Sequence, residues 1–170
     1  TYEKLILELL ELGFSVNFRP HPASLRYYKK ILDKMYLNLN KYKNFSFSHD
    51  KNNLNDYLKN DLIISDWSGS AIEFALATKK RCIFLETKQK IRNKNFRDSE
   101  NLKSLEIIFK TEFAESFNLK NLKIILKKIN CYEYLQQYEK KIDIFREKYL
   151  FNFLQTETEI DKFIYKISNE

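Results

Sequence analysis

Apolar and polar positions alternate along this chain in two rhythms. Leu5, Leu9 and Leu12 keep a helical spacing, with Ile6 and Leu10 beside them, so 3–12 is predicted as an amphipathic helix. Gly13 stands where a C-capping glycine would end it. Phe14, Val16 and Phe18 then alternate, which predicts a strand over 14–18. Arg19-Pro20-His21-Pro22 stops that strand, and the flanking prolines restrict His21. A helix is predicted over 24–38, with Ser24 as N-cap and Leu25, Tyr28, Ile31, Leu32 and Met35 on one face.

Phe45 and Phe47 mark a short strand near 44–48, and 53–60 suggests a short helix. Leu62-Ile63-Ile64 is a compact apolar run, the pattern of a strand buried on both faces of a parallel sheet. A helix is predicted over 70–78 and a strand at Cys82-Ile83-Phe84-Leu85. The stretch 86–104 is polar and loop-like, Leu105–Phe109 reads as a last strand, and helices near 118–129, 131–149 and 156–168 follow. Strands alternating with helices predict an α/β fold: one Rossmann-like parallel sheet with helices on both faces and extra C-terminal helices outside it. The 170 residues suffice for a single domain with a sizeable core. The chain opens directly on a helical pattern without Met, so a fragment of a longer protein is expected.

Composition changes this picture little. The net charge is +7, yet Lys, Asn and Ile together supply 57 residues (24, 16 and 17). A bias shared with neutral Asn and apolar Ile points to base composition rather than to a polyanion partner, and no nucleic acid partner is expected. Cys82 and Cys131 match no metal spacing, which fits a reducing compartment. No apolar run is long enough for a transmembrane helix and no signal peptide is visible, so a cytoplasmic location is expected.

Chemistry concentrates at two places. Asp66-Trp67-Ser68-Gly69-Ser70 follows a predicted strand and opens a helix. Ligands of open parallel sheets bind beyond the carboxyl ends of the strands, and unpaired N–H groups at a helix start attract anions. Ser68 and Ser70 add hydroxyls there, and Gly69 allows close approach to the backbone. The same residues permit a plainer reading. Ser70-Ala71-Ile72-Glu73 fits a capping box, and Asp66 suits a turn. His21 follows the strand 14–18 and is expected on the same carboxyl edge, with Arg19 as a phosphate partner. A histidine wedged in a rigid turn fits equally. His49 also follows a strand, with nothing else to support a role. Lys88, Lys90, Arg92 and Lys94 recur every second residue, followed by Arg97. They suit either a solvated loop or a phosphate-neutralising one.

Arg-Pro-His-Pro at 19–22 and Ser-Asp-Trp-Ser-Gly-Ser-Ala-Ile-Glu-Phe-Ala at 65–75 together resemble the CDP-glycerol glycerophosphotransferase family, the teichoic-acid and capsule polymerase-like enzymes. The resemblance covers roughly residues 14–97. It implies the C-terminal, donor-nucleotide half of a two-domain GT-B transferase, with an N-terminal Rossmann-like half carrying the acceptor-activating base. His21 would contact the donor phosphates near the leaving group. Ser68, Gly69 and Ser70 would hold the diphosphate, Glu73 the ribose hydroxyls, and Lys90 would match a lysine after the next strand. Arg19 and Asp66 complete the implied phosphate site. Two departures stand out: Asp66-Trp67-Ser68-Gly69 replaces the family's Asp-Tyr-Ser-Ser, and Gln89 stands where a proline near Lys90 is expected.

The function this implies is transfer of glycerol phosphate, or a related polyol phosphate, from a CDP-linked donor to an anionic polymer or lipid-linked acceptor. No metal cluster is visible in the sequence, so no metal or other cofactor is expected. Peripheral membrane contact is compatible with it. Two alternatives stay open. One is a glycosyltransferase of the same architecture using a nucleotide sugar such as CMP-sialic acid, since His-Pro motifs occur in bacterial sialyltransferases. The other is a non-catalytic basic module that docks on membrane or polymer.

Overall fold

The structure, a computed structural model, describes residues 2–48, 54–88, 103–152 and 155–168. The chain divides into two compact units, Thr1–Asn53 and Leu54–Glu170. It is a mixed α/β protein with two small parallel ladders in place of the single sheet expected from the strand order.

In the first unit, α1 (Tyr2–Glu11) leads through Gly13, at φ 88°, into β1 (Val16–Phe18). The left-handed backbone there is the glycine C-cap that the sequence predicts. α2 (Pro22–Tyr27) and α3 (Lys29–Leu39) follow, then β2 (Phe45–Phe47), which pairs parallel to β1 with Val16 opposite Phe45. Ile6, Leu10, Met35, Leu39 and Phe45 form the buried core. The expected 24–38 helix is broken at Tyr28 (φ −125°, ψ 26°). That break ends the predicted common face. Leu25, Tyr28 and Ile31 are exposed, whereas Met35 and Leu39 are buried in the core and Leu32 packs against it half-buried. Ser24 is not the N-cap; His21 is.

The second unit holds α4 (Leu54–Lys59), β3 (Leu62–Ser65), α5 (Gly69–Thr78), β4 (Arg81–Leu85), α6 (Leu105–Ile108), a π-helical turn over Phe109–Phe113, β5 (Glu115–Phe117), α7 (Leu122–Ile129), α8 (Tyr132–Tyr149) and α9 (Thr156–Ser168). The strands lie in the order β3-β4-β5, all parallel. β4 is therefore the central strand. Cys82 and Phe84 point into a cluster with Ala71, Ile72 and Ala75 of α5 and with Tyr138, Ile142 and Phe145 of α8. Ile83 and Leu85 point the opposite way and are buried too, so both faces of the sheet are covered at β4. Full burial on both faces was the expectation for 62–64, but β3 is an edge strand and its residues are only half-buried.

The expected strand at Leu105–Phe109 is helical, and the last strand forms at Glu115–Phe117. A short apolar run fits either structure by periodicity. What decides is the four-residue spacing of Phe109 and Phe113. On a helix it sends both rings to Phe145, at centroid distances of 5.0 and 4.9 Å, close to edge-on.

Polar groups close the ends. The Cys82 N–H bonds the buried hydroxyl of Tyr138 at 3.1 Å. The Lys80 ammonium donates to the carbonyls of Leu58 and Asn60, where α4 ends, at 2.9 and 2.8 Å. Lys79 adopts φ 55° as the C-cap of α5, and its ammonium pairs with Asp143 of α8 at 2.7 Å. No helix among the described residues is long and apolar enough to cross a membrane.

Candidate functional site

β3 ends at Ser65, and the chain turns through Asp66 and Trp67 into α5 at the carboxyl edge of the three-stranded sheet. Ser68 is extended (φ −131°, ψ 131°) and is the N-cap. Its Oγ accepts from the Ser70 N–H at 3.3 Å and lies 2.5 Å from the Ser70 Oγ. The helix thus starts one residue earlier than predicted. This overturns the capping box of Ser70 and Glu73: the Ser70 N–H is already taken by Ser68, and the Glu73 carboxylate accepts instead from the Tyr57 hydroxyl at 3.2 Å. The same Tyr57 hydroxyl lies 3.1 Å from the Ser70 carbonyl. One of the two serine hydroxyl protons is spent between the serines. Gly69 is exposed, its φ is not positive, and a Cβ there would meet nothing within 4 Å. Glycine is not required there by backbone conformation.

The loop has neighbours that the sequence analysis did not assemble. The Lys110 Nζ, from the π-helical turn, lies 3.9 Å from the centre of the Trp67 ring and 5.5 Å from that of Phe84. Burial pulls the Lys110 ammonium below the usual lysine range, against the opposing pull of the Asp66 and Glu86 carboxylates. Trp67 Nε1 donates to the Thr87 carbonyl at 3.4 Å. Asn118, just after β5, donates through Nδ2 to Glu86 at 3.3 Å. All three strands therefore deliver polar groups to one edge. Lys110 follows the segment that the sequence predicts as a last strand, Leu105–Phe109, and the structure carries it instead on the π-helical turn. The spacing of Phe109 and Phe113 was the available signal.

His21 sits in the other unit. It is exposed, caps α2, and its Nδ1 accepts from the Ala23 N–H at 3.1 Å. In the neutral ring this leaves the proton on Nε2, a donor. Arg19 is half-buried between β1 and α2. Each unit stands by itself, so the expected common edge for His21 and Ser68 remains a sequence expectation. Lys90, His49, Arg92, Lys94 and Arg97 lie outside the described residues. Among the described residues, no group of three or more His, Cys, Asp or Glu side chains is placed to hold a metal ion. The Cys82 thiol is fully buried and its ionisation is pushed far up by desolvation, so it is a packing group.

No family model matches the chain, and neither a curated protein nor a solved structure matches it.

Proposed function

We propose that the chain binds the donor nucleotide of a transferase that moves glycerol phosphate, or a related polyol phosphate, from a CDP-linked donor to a cell-surface polymer. The observation that carries this reading is the start of α5: a helix N-terminus, capped by Ser68, at the carboxyl edge of a parallel sheet. The positive end of the helix dipole and the serine hydroxyls there suit a diphosphate oxygen. The resemblance at 19–22 and 65–75 supplies the donor class and the GT-B setting. In the full reaction an acceptor hydroxyl, its proton taken by the base that the resemblance assigns to the N-terminal half, attacks the phosphorus that bears the glycerol. The bond to the CMP phosphate breaks and CMP leaves, its charge balanced by the helix start and by cations. By the resemblance, His21 assists the leaving phosphate, with Arg19 beside it, and Lys90 serves the same phosphates. Glu73 is the partner of the ribose hydroxyls, already oriented by Tyr57.

Donor competition tests the reading. CDP-glycerol should displace a bound cytidine nucleotide from the chain more strongly than CMP-sialic acid does. The reverse order would favour a sialyltransferase-like donor, and binding of neither would end both readings.

A further inference from the structure

Among the described residues, the sheet edge around the Ser68 loop carries three carboxylates, those of Asp66, Glu73 and Glu86. Asp66 and Glu86 both act on Lys110, and Glu73 lies one turn into α5. An anion entering at Ser68–Ser70 would be repelled by these groups unless a cation moved with it. Lys110 is a cation placed against the loop itself. Its ammonium rests on the ring of Trp67, the residue next to Ser68. It is carried by a π-helical turn, a backbone form found often where a functional side chain is positioned. A further polar group on this edge belongs to Thr87. The Thr87 hydroxyl oxygen is buried and has no hydrogen-bond partner among the described residues, although the Thr87 carbonyl is held by Trp67.

The geometry points to Lys110 as the side chain that contacts the phosphate of a ligand held at Ser68–Ser70, with Trp67 as the platform that parks its ammonium beforehand. This rests on the reading of the loop as a donor-phosphate site. A charge-assisted hydrogen bond to phosphate would take the place of the cation–π contact, and the carboxylates of Asp66 and Glu86 limit how tightly an anion is held. The role differs from that of Lys90, which the resemblance places in another segment.

Trp67 is the only tryptophan of the chain, so its emission reads this edge directly. Inorganic pyrophosphate and CDP are titrated into the full chain at fixed ionic strength, by emission and in parallel by calorimetry. The variants are Lys110→Met, which keeps the aliphatic stem over the ring, Lys110→Gln, and Lys88→Gln as an exposed charge control on the same edge. The wild type should saturate with a change in Trp67 emission. Both Lys110 variants should weaken binding tenfold or more, while Lys88→Gln changes it less than threefold. Equal dissociation constants for the wild type and a folded Lys110 variant would overturn the assignment of Lys110 and leave the loop reading standing. Absence of saturable binding by the wild type in both measurements would overturn the loop reading and the Lys110 assignment with it.

Discussion

The ammonium of Lys110 stands 3.9 Å from the centre of the Trp67 ring, joining a π-helical turn to the loop after β3. Burial costs this ammonium more than Asp66 and Glu86 return, so it loses its proton below the ordinary lysine value of about 10.4. Deprotonation removes the charge from the ring face. Trp67 emission should therefore titrate with a midpoint below that value, and Lys110→Met should abolish the step. The sign for stability follows. The native chain releases this proton before the unfolded chain does, so stability contributed by this group rises with pH between the lowered and the ordinary value. Emission that stays flat to the ordinary lysine range would show that the contact is not formed.

Tyr138 and Cys82 give a prediction about the core. The Tyr138 hydroxyl is the partner of the Cys82 N–H in a buried setting, and burial holds the phenol well above its usual range. Tyr138→Phe leaves that N–H unmet at nearly constant volume. The expected loss in urea unfolding is about 1–3 kcal/mol, with an unchanged denaturant slope. A loss below a few tenths would mean that water replaces the hydroxyl.

The start of α5 separates two capping schemes. With Ser68 as the cap, Ser68→Ala should cost about 1 kcal/mol. Glu73→Ala should leave the cap intact, because Glu73 bonds Tyr57 rather than the Ser70 N–H. Thermal melts of the two variants decide. Equal loss in both would restore the capping box.

Much of the fold was legible where periodicity was long. α1, α8 and α9 fall within a residue or so of their predicted ranges, because each spans several turns. Short apolar runs were not legible. Leu62-Ile63-Ile64 and Cys82–Leu85 look alike in sequence, and only pairing on both sides makes β4 the buried one. Leu105–Phe109 was misread because its helical partner, Phe113, lies outside the apolar run. Tyr28 breaks a helix that composition alone would continue. The candidate site was half legible. The Ser68 loop is a contiguous motif and could be read from spacing. Lys110, Glu86, Thr87 and Asn118 reach the same edge from separate segments, and no local pattern joins them.

The most direct test of the donor-phosphate reading is CDP binding by the wild type and by Ser68→Asp, measured by calorimetry. Aspartate is as good an N-cap as serine, so the helix start and the melting temperature should be kept. Its carboxylate would stand where a phosphate is proposed to sit. The account predicts saturable binding by the wild type and a loss of tenfold or more in Ser68→Asp at unchanged stability. Equal binding by both, or none by the wild type, would contradict it.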